Sequence, residues 1–421
     1  MVNPQNIIII NDFGHVNGGA SQVAISTALT MANRSHQVFF FCAVAPVDFA
    51  LTDHPFIRVH CTNQRDILNN LSRVSSSIQG LWNSSSRKIF KNLLQSLPKD
   101  STIIHVHGWT KALSHSVLHE AITSNIPIVV TAHDYYLACP NGGFYNYQKA
   151  QICTLKALSA KCIFSNCDSR SYAHKLWRVA RGTIQKNLVG IPKQIKHFIF
   201  VSEKSREILT PYLPEDGKTY LLPNPIETKF SPRIESEKNE KIYAIGRLSP
   251  EKGFVKLALI TKDLGLELVI IGEGSERDKL EKINPAIKFT GWLTNDQLFE
   301  ELANARVVVF SSLVYETQGM VVLEAASRGI PSIVSDVTAA ANEIIDYETG
   351  ILYNTNDLHD LNEKLVLISD DELVLKLSKN TYEKFWRNPL TYEQYPNELE
   401  KIYNQILEMR SDTIEMEESN Q

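Results

Sequence analysis

The sequence predicts an α/β protein of two doubly wound units, each a parallel sheet covered by helices. Three observations predict it. Short apolar runs of strand length alternate with helical patterns along the chain, which marks parallel sheets with helical crossovers. The stretch LLPNPIETKFSPRIESEKNEK (residues 221–241) interrupts that alternation with prolines and a charged polar run, as a connection between domains does. The 421 residues, 43% hydrophobic and 21% charged, suffice for two full cores.

Taken in order, the first unit (residues 1–222) offers the strands NIIIIND, HQVFFFCAV, STIIHVHG, IPIVVTAHD and HFIFVS. The four isoleucines near the start follow no basic stretch, so they read as a first buried strand rather than a signal peptide. The second unit (residues 223–390) offers KIYAIGR, LELVIIGEG, AIKFTGW, ARVVVFSS, PSIVSD and GILYN. In the closing segment (residues 391–421), apolar residues recur at helical intervals up to an acidic tail, SDTIEMEESNQ, expected to fray. No run approaches the roughly 20 apolar residues that span a bilayer. Six cysteines without a secretory signal point to a reducing compartment, with cytoplasm the expectation.

The net charge of −4 conceals a division. Residues 1–222 carry 22 Lys+Arg against 12 Asp+Glu, a balance of +10, while the remainder carries 21 against 35, a balance of −14. Such asymmetry suggests a polyanionic or membrane-surface partner for the basic half. Within it, RSYAHKLWRVARGTIQKNLVGIPKQIK (170–196) holds seven basic residues and no acidic one. That pattern suits a solvated helix face or, with Leu176, Trp177 and Val179 interleaved, a surface leaning on anionic lipid. No nucleic-acid reading motif accompanies it.

Ligands of doubly wound sheets collect at the carboxyl ends of strands, where helix N-termini aim N–H groups at anions. Three loops are so placed. In NDFGHVNGGASQVA, Gly14, Gly18 and Gly19 lie between the first strand and a helix, without the spacing of a dinucleotide fold. No acidic residue ends the second strand, which also argues against a dehydrogenase. In AIGRLSPEKGF, Arg247 and Lys252 present a planar guanidinium beside a point-charge ammonium, a match for a pyrophosphate. In YETQGMVVLEAASRG, Glu316 precedes a helix starting near Met320, and Glu324 lies one turn inside. A carboxylate can accept both hydroxyls of a vicinal diol. Two carboxylates around a helix N-terminus therefore suit ribose diol, pyrophosphate and sugar diol in turn; helix capping and a surface ion pair are the structural alternative. His133, at the end of IPIVVTA, is either a hydrogen-bonded structural residue or a group facing the cleft.

GRLSPEKG followed by ETQGMVVLEAASRGIPSIVSD resembles the donor-binding half of the retaining glycosyltransferases of family 4, whose GT-B fold sets two Rossmann-like domains face to face. NDFGHVNGGA, IIHVHG, VVTAHDYY, FIFVSEKSREIL and LLPNPIE occur as in the family, so the resemblance covers nearly the whole chain. It implies an acceptor-binding first domain, a donor-binding second domain and a final helix crossing back onto the first. It implies that Arg247 and Lys252 hold the donor pyrophosphate, that Glu324 holds the ribose hydroxyls, and that Glu316 contacts donor-sugar hydroxyls together with backbone N–H groups of Thr317, Gln318, Gly319 and Met320. Gly18 and Gly19 would lie against donor phosphate and acceptor, and His133 would face the reacting sugar. The family often has Gly-Phe-Gly after the first glutamate, so Thr317 and Gln318 are a departure that bears on which sugar fits.

The activity so implied is hexosyl-type transfer, with retention, from a nucleotide sugar to a saccharide or lipid-linked saccharide acceptor. Surface polysaccharide synthesis (capsule, O-antigen or exopolysaccharide) at the cytoplasmic face of the inner membrane is the expected setting, with no catalytic metal. A GT-B nucleotide-sugar epimerase and a non-catalytic nucleotide-sugar binder are the alternatives. Separately, Cys139, Cys153, Cys162 and Cys167 crowd a loop-rich insertion (about 139–167). Four thiolates could close a structural zinc site, although no C-x-x-C pair is present; buried thiols and disulfides stay open beside it.

Overall fold

A computed structural model describes residues 6–419 apart from 71, 358 and 390, with side chains as far as Arg410. The first sheet contains β1 (Asn6–Ile10), β2 (Gln37–Cys42), β3 (Ile57–Cys61), β4 (Thr102–Val106) and β5 (Ile128–Ala132). After a two-stranded hairpin, β6 (Tyr145–Asn146) and β7 (Gln151–Ile152), it is completed by β8 (His197–Phe200) and β9 (Lys218–Leu221). Its order is β3-β2-β1-β4-β5-β8-β9, parallel throughout. The second sheet holds β10 (Lys241–Ile245), β11 (Leu268–Ile271), β12 (Lys288–Gly291), β13 (Ala305–Phe310), β14 (Ser332–Ser335) and β15 (Gly350–Tyr353). Its order is β12-β11-β10-β13-β14-β15, also parallel.

The central strands are apolar on both faces because helices cover both: Ile7, Ile8, Ile9 and Ile10 are all without exposure. The two strands of the first sheet that hydrophobic runs did not reveal, β3 (IRVHC) and β9 (KTYL), are its edges. Edge strands are half-solvated and carry polar residues, which erases the apolar signal. In each sheet the order reverses direction beside the first strand, between β1 and β4 and between β10 and β13. That reversal opens a crevice at the carboxyl ends of those strands.

The closing segment forms one helix, Tyr395–Ser419. Tyr395, Leu399, Ile402, Tyr403 and Ile406 of this helix are buried among Ile7, Ile9, Val38 and Phe40 of the first sheet. The backbone is helical through Ser419 and so takes in most of the acidic tail; 420 and 421 lie outside the described residues. No described helix is long and apolar enough to cross a membrane.

The stretch 170–196 is divided between interior and surface. Lys175 is buried, Arg181 donates to Thr110 O, and Arg178 pairs with Asp168 at 2.8 Å. These three cations serve the fold rather than solvent or lipid. Arg170, Lys186, Lys193 and Lys196 stay exposed, as do Leu176 and Leu188. The four cysteines of the insertion are free thiols. Among the described residues no three His, Cys, Asp or Glu side chains are grouped so as to hold a metal ion. The donor set therefore does not fit the zinc site expected from Cys139, Cys153, Cys162 and Cys167; instead Lys175 Nζ donates to Cys162 Sγ at 3.5 Å.

Candidate functional site

The helix Met320–Ser327 begins at the carboxyl end of β13, where its sheet changes direction. Gly319 caps it at φ 91°, and a methyl there would come within 2.5 Å of the Ala340 Cβ. Glycine is required on both counts. Three residues earlier Glu316 also sits at positive φ, 47°, an uncommon conformation for a residue with a side chain. These two kinks bracket Thr317 and Gln318.

Glu316 is the hub. Its Oε1 accepts from Lys252 Nζ at 2.6 Å and from Ser312 Oγ at 2.6 Å. Burial would push the carboxyl up, but the Lys252 ammonium and the Ser312 hydroxyl outweigh it and hold the group below the usual range. Lys252 lies in the loop after β10, where Gly253 at φ 73° lets the backbone close against Ser311 O. In the same loop Arg247 pairs with Glu251 at 2.9 Å, while its side chain stays 70% exposed. Lys252 thus reaches the loop before this helix, Arg247 lies near enough for its charge to act on Glu316, and each cation is already neutralised by a carboxylate.

Glu324, one turn inside the helix, has the opposite electrostatics. Burial, with the charge of Glu227 adding to it, pushes its carboxyl up to about 7. From the first sheet, Gly18 at φ 91° faces open space, and a methyl on Gly19 would lie 3.5 Å from the Met320 sulfur. The glycine loop therefore faces the helix N-terminus across the crevice.

His133 comes in beside them: its carbonyl accepts from Thr317 Oγ1 at 3.0 Å. Its Nε2 is 2.9 Å from His107 Nδ1, and the His107 ring packs at a tilt against His105 with ring centroids 4.0 Å apart. His105 in turn bonds Thr131 Oγ1 at 2.7 Å and Tyr403 OH, on the final helix, at 2.6 Å. Burial pushes His133 down to about 4, so the ring is neutral at physiological pH and works as a hydrogen-bonding group rather than a cation.

The structure brings together Gly19, His133, Lys252, Glu316, Thr317, Gly319 and Met320, with Arg247 and Glu324 flanking. It turns Gln318 away: that side chain is 3% exposed and bonded to Asn224, not open to a ligand. Several participants carried no signal in the sequence. Ser312, Glu251 and His107 are common residue types at unremarkable spacings, and Tyr135, whose hydroxyl donates to Glu316 O at 2.7 Å, crosses from the other domain. The segments quoted for the resemblance, GRLSPEKG, IIHVHG and VVTAHDYY, do contain Glu251, His107 and Tyr135, and were the usable hints.

Residues 17–230 match the family described as Glycosyltransferase Family 4, and residues 226–384 match the glycosyl transferases group 1. Among curated proteins, a sulfoquinovosyl transferase of Arabidopsis thaliana is 33% identical over 181 residues, 39% of this chain and 35% of that protein. A GDP-mannose-dependent alpha-mannosyltransferase of Mycolicibacterium smegmatis is 34% identical over 112 residues, 27% of this chain and 30% of that protein. The chain spans about a third of the length of these curated relatives. Among solved structures, sucrose-phosphate synthase from Thermosynechococcus elongatus superimposes with a TM-score of 0.71 at 21% identity, covering 96% of this chain and 100% of that one. HepE of Anabaena, in complex with UDP and glucose, gives 0.62 at 16%, covering 95% and 100%. These likenesses show the fold, GT-B.

Proposed function

Since this chain belongs to glycosyltransferase family 4, we propose that it transfers a sugar, with retention, from a nucleotide-sugar donor to a saccharide or lipid-linked saccharide acceptor in surface polysaccharide synthesis. The observation that carries this reading is the Lys252–Glu316 pair at 2.6 Å, set before a helix N-terminus with Glu324 one turn on and the Gly18–Gly19 loop facing it. Without ligand, Glu316 neutralises Lys252 and Glu251 neutralises Arg247. A diphosphate brings more negative charge and more acceptor oxygens than either carboxylate, so it displaces both and takes the two cations. Glu316, released, accepts hydroxyls of the donor sugar. Glu324 ionises and accepts the ribose diol.

The chemistry then needs position and charge stabilisation more than a nucleophile of the protein. The acceptor hydroxyl attacks the anomeric carbon on the face from which the diphosphate departs. The departing oxygen, stabilised by Arg247 and Lys252, takes the acceptor's proton. Neutral His133 orients the reacting sugar. For a membrane surface, the candidates are the exposed apolar residues Val74, Ile78, Leu176 and Leu188 and the exposed cations Arg73, Arg170, Lys186 and Lys193. Trp177 joins the helices Arg73–Leu81 and Tyr172–Thr183, which carry Val74, Ile78 and Leu176, by donating to Ser77 O at 3.2 Å.

The test is a thermal-shift screen of nucleotide sugars, in which a true donor stabilises by RT ln(1 + [L]/Kd), followed by transfer assays and NMR of the product anomer. Transfer with the donor's anomeric configuration kept is the expected result. Isomerisation without an acceptor would identify an epimerase, and binding without turnover a binding protein.

A further inference from the structure

Three consecutive residues before the donor helix bond away from their own loop, two to the first domain and one to the connection between the sheets. Glu316 O accepts from Tyr135 OH, and Thr317 Oγ1 donates to His133 O. Gln318 makes two hydrogen bonds to one backbone residue: its Oε1 accepts from Asn224 N–H at 2.8 Å and its Nε2 donates to Asn224 O at 3.2 Å. Asn224 lies in the connection between β9 and β10, and both partners are buried. A buried backbone unit must find partners somewhere. Here a side chain 94 residues away supplies both.

On its other side the connection has room. Leu222, Pro223, Asn224 and Ile226 border a cavity of about 590 Å³ shared with Val322 and Ala326, which lie on the side of the donor helix away from Glu324. Gln318 ties this loosely backed linker to the loop that carries Glu316. Thr317 and Gln318 are also the two positions at which the chain departs from the Gly-Phe pattern, so the departure coincides with these contacts.

We propose that Thr317 and Gln318 are positioning residues that clasp the Glu316 loop to His133 and to the interdomain linker, so that loop geometry and domain placement are set together. The clasp stands on the contacts themselves; its effect on turnover rests on the transferase reading. The resemblance implies only backbone N–H contacts to the donor at these two positions; their side chains hold protein, so the departure at Thr317 and Gln318 acts through the placement of the loop rather than by touching the sugar.

Hydrogen exchange of the full chain tests the clasp directly. Pro223 and Pro225 have no amide hydrogen, so Asn224 provides the one exchanging amide of that tripeptide. It should be protected in the unmodified protein, and roughly tenfold less so in Gln318→Leu, the effect of one lost buried hydrogen bond. Gln318→Glu, whose carboxyl still accepts from Asn224 N–H, should restore most of the protection. Calorimetric Kd values for UDP and GDP should stay within about twofold in Gln318→Leu and Thr317→Val, because neither side chain touches the nucleotide, while kcat falls about tenfold. An unprotected Asn224 amide in the unmodified chain would overturn the clasp without any variant, as would a nucleotide Kd that rises in step with the loss of turnover. Exchange that accelerates in a protein binding neither nucleotide would keep the clasp and refute the donor site; unchanged exchange beside tight nucleotide binding would do the reverse.

Discussion

Two glutamates eight residues apart answer to opposite fields. Glu316 is held ionised by Lys252 and Ser312, whereas Glu324 is pushed up to about 7 by burial and Glu227. Ribose hydroxyls donate best to an ionised carboxylate, so binding must remove the Glu324 proton whenever the pH lies below about 7. Nucleotide affinity should therefore be full above that pH and fall as the pH drops through it, to roughly tenfold weaker at pH 6 than at pH 8. Glu324→Gln should bind more weakly and lose this slope, and calorimetric titration of both proteins across that range checks it. The pairing of residue types with a diphosphate and two diols was legible in the sequence. The mutual neutralisation of Lys252 and Glu316 was not, because it joins residues 64 apart through a loop closure that no local pattern encodes.

At the scale of elements, the helix Met320–Ser327 depends on its cap more than on its length. It spans eight residues, too few to persist alone in water. Gly319 fixes its direction through a positive φ and close contact with Ala340. Gly319→Ala should cost about 1–3 kcal/mol from backbone strain and overlap. A lower Tm together with a weaker nucleotide Kd would confirm it; an unchanged Tm would show that the cap tolerates a side chain. The stretch 170–196 shows a case that composition resolves only in part. Of its seven basic residues, Arg170, Lys186, Lys193 and Lys196 lie on the surface, whereas Lys175, Arg178 and Arg181 are consumed by Cys162, Asp168 and Thr110. Charge runs do not announce their partners, since those arrive from distant elements.

At the scale of the whole molecule, the final helix is part of the first domain's core. Leu399 has no exposed surface and packs among strands near the N-terminus. Leu399→Ala should destabilise by about 2–5 kcal/mol, and denaturant unfolding should show the loss in the transition of the first domain rather than the second. The same helix sends Tyr403 to His105, the far end of the histidine chain that stops at His133. By itself the sequence determined the α/β class, the interior strands, the glycine loops and the residue types that match a nucleotide sugar, because period, apolar runs and functional-group chemistry are local properties. Tertiary structure alone decided that Gln318 serves the linker instead of the ligand, that the cysteines gather no metal site among the described residues, and that both cations begin paired. Each of those outcomes is a contact between positions far apart in the chain, and its free energy exists only once folding has brought the partners within a few ångströms.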